Sequence, residues 1–338
     1  MKLTTAVQLA TSGRVRAMKG VLEAATEATR VHFLVGAGRA GVLRALAAQG
    51  ATEGELSQTL GLPAGAGALR AWLDVGESLG ELKQTSGRWA LTGVLARALA
   101  EARNDDLLAI LEEVGTLHAA LLHETLPRLR ERRPFTLADQ DGAMIARSSR
   151  VLEPLVAEVV AEHVPARGPF RLLEVGCGSG VYLRYAAQRN AQLTAVGIEL
   201  QPEVARQAGA NLVTWGVGDR VTVESQDLRQ RPAEPVFDLV TLHNNIYYFP
   251  VAERVAVLRH AAAFLVSGGK LVLTTACPGG SPSGAVLHLW GEVTEGCGGL
   301  PEPEALCAQL KEAGLQAPSF RNVGAPIERF FAFVATKA

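Results

Sequence analysis

The chain has 338 residues, 48% of them apolar, which is enough for two domains and a sizeable buried core. Its 33 basic and 34 acidic side chains leave a formal net charge of −1, so no strong field attracts nucleic acid or an anionic membrane. Met1-Lys2-Leu3-Thr4-Thr5 opens no long apolar run, and no stretch reads as a bilayer span. A cytoplasmic protein without nucleic-acid or membrane partners is therefore expected.

In chain order, residues 31–48 are largely apolar, with Arg39 and Arg44 the only charges, and read as one mostly buried helix stopped by Gly50. Thr52-Glu53-Gly54-Glu55 is a capping-box pattern opening a short helix to Leu60. Gly61-Leu62-Pro63 turns the chain, and a further helix is predicted from Ala66 to Leu79. Two short strands, 81–84 and 88–92, flank Ser86-Gly87 as a hairpin. Helix, turn, helix and hairpin is the winged-helix order. A groove-reading helix needs a basic face, and Arg70 here is accompanied by Asp74 and Glu77. The expected role of residues 1–104 is therefore dimerisation and covering of a substrate. Residues 105–133 and 139–163 are predicted as two helices, and 105–165 as a helical connector contributing to the substrate pocket. Pro165 and Gly168-Pro169 form the linker to a third segment, 166–338.

Phe170 to Val175 is a short apolar strand, followed at once by Gly176-Cys177-Gly178-Ser179-Gly180 and a helix from Tyr182. Glycines there turn the chain sharply and let the backbone approach a ligand closely. The G-x-G-x-G spacing, with Glu174 just before it, favours S-adenosylmethionine over a dinucleotide, whose pyrophosphate a carboxylate would repel. The second strand, 193–198, ends in Glu199 and Leu200, with the acid placed for both ribose hydroxyls. The third strand exits at Asp227, placed for the adenine amino group, and Leu228, placed against the ring. The fourth strand is 237–242, and Gly268-Gly269 leads into a fifth, 270–275. The cofactor set is thus Glu174, Gly176, Cys177, Gly178, Gly180, Glu199, Leu200, Asp227, Leu228 and His243. Cys177, Cys277, Cys297 and Cys307 make no C-x-x-C pair and are expected as free thiols.

The successive segments LLEVGCGSG, VGIEL, SQDL, FDLVTLHNN and SGGKLVL resemble the motifs of class I S-adenosylmethionine-dependent methyltransferases. The resemblance implies a Rossmann-like, doubly wound α/β sheet. With the winged-helix front it resembles the small-molecule O-methyltransferases, which implies a homodimer through the N-terminal domain. Those enzymes carry a catalytic His that deprotonates the substrate hydroxyl. Counting back from Gly268-Gly269 puts its position at Tyr247, and a phenol is a poor base near neutral pH.

His243 stands at the end of the fourth strand, where ligands bind in such folds. It either hydrogen-bonds the cofactor or a carbonyl, or serves as a ligand for Zn or Fe. His288 and Glu292, four apart on a predicted helix, share one face, although His288 also reads as an ordinary packed residue. The run HNNIYYFP with a later His is similar to the bacterial 2-oxo acid C-methyltransferases of peptide-antibiotic pathways. That resemblance implies a metal held by His243, Asn244 and His288, with Glu292 as an alternative ligand. The leading expectation is metal-dependent C3-methylation of a 2-oxo acid, in which the ion stabilises the enolate. Tyr247, Tyr248 and a metal-bound hydroxide are the candidate bases, and Arg147 and Arg150 read either as partners of a substrate carboxylate or as solvated helix residues. The alternatives are a metal-free O- or N-methyltransferase of a small aromatic natural product and a non-catalytic winged-helix regulator.

Overall fold

The computed structural model describes residues 12–63, 67–324 and 328–338, so the opening residues and Ala66 lie outside the described part. Contacts divide the chain into two units, 1–119 with 143–148, and 120–142 with 149–338.

The first unit begins with α1 (Arg14–Arg39) and α2 (Val42–Ala47). The single helix expected over 31–48 is broken because Gly41 takes φ 79°, a left-handed turn. Next come α3 (Glu53–Thr59) and α4 (Gly67–Ser78). The capping box forms as read: Glu55 N–H donates to Thr52 Oγ1 at 3.2 Å, and Thr52 N–H donates to Glu55 Oε2 at 2.7 Å. The hairpin is β1 (Leu82–Thr85) and β2 (Arg88–Leu91). Ser86 and Gly87 both have positive φ, as a two-residue turn that follows the strand twist requires. Trp89, Leu73, Leu56 and Leu43, all fully buried, centre the core of this unit. Arg70 is held inside the unit by Glu53, Asp74 and Gln84 and lies over the Trp89 ring.

After α5 (Val94–Ala100) and α6 (Asp105–Glu113), the helix predicted over 105–133 is interrupted by a π-helical turn, Val114–His118, before α7 (Ala119–Glu131). The helix predicted over 139–163 is α8 (Gly142–Ser148) and α9 (Glu153–His163), joined by a 3₁₀ turn. Pro154, which has no N–H to give, stands in the first turn of α9.

The second unit is built on a seven-stranded sheet. Its strands are β3 (Phe170–Val175), β4 (Leu193–Glu199), β5 (Val221–Ser225), β6 (Phe237–His243), β7 (Leu265–Ala276), β8 (Leu315–Asn322) and β9 (Phe330–Lys337). The order is β5-β4-β3-β6-β7-β9-β8, parallel except for β9, which runs antiparallel to β7 and β8. Apolar clusters cover both faces, one containing Val240, Leu258 and Phe333, the other Leu172, Leu183 and Ala208. The helices include α10 (Val181–Arg189), α11 (Pro202–Thr214), α12 (Arg254–Ala263), α13 (Pro282–Val293) and α14 (Pro303–Glu312). This is a doubly wound, Rossmann-like α/β architecture. The strand order reverses between β3 and β6, so a crevice opens at their C-terminal ends. No helix among the described residues is long and apolar enough to cross a membrane.

Candidate active site

The loop from β3 to α10 runs along that crevice. Gly176, Gly178 and Gly180 have φ of 63°, 52° and 79°, all left-handed, which accounts for glycine at every second position. A Cβ on Gly176 would stand 2.6 Å from Asn245 Nδ2, whereas one on Gly178 would meet nothing within 4 Å. Gly178 therefore presents bare backbone to open space. The Cys177 thiol turns the other way, into the notch left by Gly197, where an added Cβ would lie 2.7 Å from its sulfur. Its N–H is taken by the Ile198 carbonyl, and burial pushes its thiol pKa up.

Glu199, at the end of β4, accepts from Gly178 N–H at 3.1 Å and from Gln201 N–H at 3.0 Å. A carboxylate has about four acceptor positions, so roughly two remain for a ribose diol. Leu200 beside it is 56% exposed, an apolar surface ready for a flat ring. Asp227 caps the turn that follows it, accepting from Arg229 N–H at 2.9 Å, and its carboxylate pairs with the Arg229 guanidinium at 2.7 Å. Arg229 thereby holds the Asp227 carboxyl below the usual range and occupies the oxygens expected to meet adenine. Leu228 is 3% exposed, so any contact with the ring is through the edge of the core.

Five buried polar atoms without a hydrogen-bond partner gather at the ends of β3 and β6: both Glu174 oxygens, Thr241 Oγ1, His243 Nε2 and Asn245 Oδ1. Each such atom costs about 1–3 kcal/mol, a cost a polar ligand in the crevice would offset. Glu174 and Thr241 are register partners, as are His243 and Thr274 on β7. His243 Nδ1 lies 2.9 Å from Thr274 Oγ1, and its ring meets Tyr182 edge-on at 5.0 Å. Burial, with a lesser contribution from His163, pulls the His243 pKa down to about 3, so the imidazole is neutral at physiological pH. Asn245 Nδ2 donates to the Val175 carbonyl, placing the amide over the glycine loop. These donors and acceptors fit an amino-acid-bearing nucleoside cofactor. Thr241, Asn245, Thr274 and Tyr182 were absent from the residues singled out by sequence. Parallel register counted from the two strand ends would have found the threonines.

The residues expected as metal ligands each have other contacts within the protein. Among the described residues no group of three or more His, Cys, Asp or Glu side chains gathers to hold an ion. His243 offers Nδ1 to Thr274, while His288 Nδ1 accepts from Leu300 N–H at 3.0 Å. His288 and Glu292 do share a face of α13, but it packs on Gly299, where an added Cβ would lie 2.7 Å and 2.2 Å from them. Asn244 takes φ 55°, and its N–H donates to the Thr274 carbonyl at 2.7 Å. Asn tolerates that left-handed turn better than most residues, which explains its presence without ligation. Arg147, a candidate partner of a substrate carboxylate, already has partners within the protein. Its guanidinium is held by Asp105 at 2.8 Å and Glu112 at 2.9 Å, while Arg150 lies 3.8 Å from Glu153.

Tyr247 sits in a 3₁₀ turn, Ile246–Tyr248, 8% exposed. Its ring stacks on Tyr248 at 5.1 Å and meets Trp290 edge-on at 6.1 Å. Arg254, 2% exposed, pins this turn by donating to the carbonyls of Phe249 and Gly299. Trp290 is 3% exposed and fills core here.

The fold and this crevice define a nucleoside-cofactor enzyme of the Rossmann-like kind, and comparison with known proteins carries the assignment further. Residues 172–269 match the family described as Methyltransferase domain. The chain is 31% identical over 188 residues to the ubiquinone biosynthesis O-methyltransferase of Xanthomonas axonopodis pv. citri, covering 53% of this chain and 74% of that one. It is 31% identical over 168 residues to 27-O-demethylrifamycin SV methyltransferase of Amycolatopsis mediterranei, covering 48% of this chain but only 60% of that one. Two solved structures share the fold nearly end to end. Mitomycin 7-O-methyltransferase has a TM-score of 0.80 at 17% identity, covering 97% of this chain and all of that one. An O-methyltransferase family protein from Burkholderia thailandensis has a TM-score of 0.70 at 22% identity, covering 100% and 98%. The chain belongs to the S-adenosylmethionine-dependent methyltransferases.

Proposed function

We propose that this protein transfers the methyl group of S-adenosylmethionine to a hydroxyl oxygen of a small molecule without help from a metal. The observation that carries the reading is the 74% coverage of a relative named as an O-methyltransferase. The residues bear on what kind of hydroxyl. Tyr247 stands where those enzymes are expected to keep a His, and the neutral His243, with its pKa near 3, is a weak base. The acceptor is therefore a hydroxyl acidic enough to ionise largely by itself, an enol conjugated to a carbonyl or a phenol whose ring carries electron-withdrawing groups, rather than an ordinary phenol of pKa about 10. The protein contributes positioning: it holds oxygen and methyl carbon in line, and alignment of that kind supplies much of a displacement's rate. The bound cofactor supplies an activated methyl group on a cationic sulfur. Glu199, Leu200 and the backbone of Gly178 hold its nucleoside, and the unpartnered atoms at the ends of β3 and β6 receive its amino-acid part.

Metal-dependent C3-methylation of a 2-oxo acid is the lesser reading, because it rests on the run HNNIYYFP, while the relative covered to 74% is named as an O-methyltransferase. The homodimer remains part of the proposal. Val15, Met18, Val21 and Leu22 on α1 are each more than half exposed, an apolar surface suited to a second copy. Sedimentation of the intact protein tests it, with a single monomeric boundary at micromolar concentration counting against it.

Mass spectrometry of products from S-adenosylmethionine with a panel of phenols, enols and 2-oxo acids tests the reaction. O-methyl ethers formed equally with and without chelator are expected. A C-methylated oxo acid made only with added metal would overturn the proposal.

A further inference from the structure

Among the described residues Arg254 is the one Lys or Arg that is buried, and it opens α12, where the helix dipole disfavours a positive charge. Burial lowers its pKa, and the Glu292 charge works against that shift. A desolvated guanidinium is costly, so its partners matter. They are backbone carbonyls: Nε donates to Phe249 at 3.2 Å and Nη2 to Gly299 at 2.6 Å. The two carbonyls belong to different segments. Phe249 ends the turn that follows β6, and Gly299 lies in a strap, residues 297–300, a few positions after α13. The Gly298 N–H donates to the Tyr247 carbonyl at 2.9 Å, a further stitch between strap and turn. The strap has no slack. A Cβ on Gly298 would stand 2.8 Å from Arg254 Nη2 and 2.9 Å from the Phe249 oxygen, and one on Gly299 would stand 2.2 Å from Glu292 Oε1. Beside the strap, Trp290 meets the Tyr247 and Tyr248 rings edge-on at 6.1 and 5.2 Å. The other end of the turn is fixed on the glycine loop, because Asn245 donates to the Val175 carbonyl and accepts from Tyr248 N–H at 3.0 Å. The turn is thus clamped between the glycine loop and Arg254.

We propose that Arg254 is a positioning residue for methyl transfer: by joining the Phe249 and Gly299 carbonyls it sets where the Tyr247–Tyr248 turn stands beside the acceptor. It acts through the turn and not on the reacting atoms. A planar guanidinium fork reaches two carbonyls at once, which the point charge of a lysine does not. The same clamp accounts for the face of α13 that carries His288 and Glu292. Glu292 offsets the buried charge, and His288 holds the far end of the strap through Leu300 N–H at 3.0 Å. Arg254 grips the turn itself, so its loss acts there directly. The inference rests on the reading that this turn borders the acceptor, and it is independent of which acceptor atom is methylated.

The test compares the whole native protein with Arg254→Met and Arg254→Lys. S-adenosylmethionine Kd is measured by calorimetry, and kcat and KM with the acceptor that gives most product in the panel. Both variants should bind S-adenosylmethionine within about twofold of native. The acceptor kcat/KM should fall at least about tenfold in Arg254→Lys and further in Arg254→Met, the effect of a misplaced reactant. Amide exchange at Tyr248 and Gly298 should quicken in both, while that of β6 stays native. Native kcat/KM in a folded variant would overturn the proposal. So would an S-adenosylmethionine Kd that rises by the factor by which kcat/KM falls, which is general loosening. Arg254→Lys keeps the charge and most of the volume, and it decides if Arg254→Met does not fold. Should no panel member react, exchange alone decides, and unchanged rates at Tyr248 and Gly298 in Arg254→Lys refute the clamp. A C-methylated product would sink the proposed O-methylation and leave this comparison intact.

Discussion

Gly178→Ala separates the architecture of the glycine loop from its contact with the cofactor. The residue has φ 52°, so any L side chain there is strained, and a left-handed alanine costs about 1–2 kcal/mol. Among the described residues, chain neighbours aside, no atom lies within 4 Å of the new methyl, so no packing penalty is added. The midpoint of thermal unfolding should fall by only a few degrees. The methyl does occupy the space the cofactor would fill. Forcing a methyl into a close contact costs about 1–3 kcal/mol, roughly a 5- to 150-fold rise in Kd. Gly176→Ala should do the reverse in part: the same backbone strain plus a 2.6 Å encounter with Asn245 Nδ2 makes it the less stable variant. Differential scanning fluorimetry and calorimetric titration with S-adenosylmethionine measure both quantities. A Gly178→Ala protein that melts near the native midpoint and binds with native affinity would refute the placement of the cofactor on this loop.

Other substitutions probe the remaining site. Asn244→Gly should keep or slightly raise stability and preserve methyl transfer, while Asn244→Val should lose about 1–2 kcal/mol, because the position requires a left-handed backbone; loss of activity in the glycine variant with its fold intact would revive a ligand role. His243 has a folded pKa near 3 against about 6.5 unfolded, so the unfolded chain binds the extra proton between those values. Its contribution to stability is complete above about pH 6.5 and fades as pH falls toward 3, and His243→Gln should flatten the acid side of a midpoint-against-pH curve. Glu174 acts with the opposite sign, since its raised pKa leaves the native state holding the proton above about pH 4.5 and lowers stability as pH rises. Dialysis against chelator should leave turnover unchanged, and His288→Ala should cost about 1–3 kcal/mol, because it orphans the Leu300 N–H and removes packing on Gly299. Abolished turnover in a folded His288→Ala protein would count against that reading.

The Thr52–Glu55 capping box, the Ser86-Gly87 hairpin and the glycine loop were all legible in the chain, as were the acids ending β3 and β4. Each depends on residues within a few positions of one another, so backbone sterics and local hydrogen bonds decide it. The break at Gly41 and the π turn at Val114–His118 were not legible, because hydrophobic periodicity alone continues through both.

The chemistry of the site lay further out of reach. His243 and Asn244 looked like ligands in a linear run. Parallel register brings Thr274, 31 residues on, against the His243 ring, and turns Asn244 into a backbone solution. Asn245 reaches Val175, 70 residues back, to roof the loop. Sequence by itself pointed to the cofactor class, because the glycine spacing comes with acids at the ends of two successive strands and the ordered segments resemble those of S-adenosylmethionine-dependent methyltransferases. Only the tertiary structure decided which polar atoms are buried without partners. That depends on strand neighbours far apart in the chain and on the exclusion of water from the crevice they enclose.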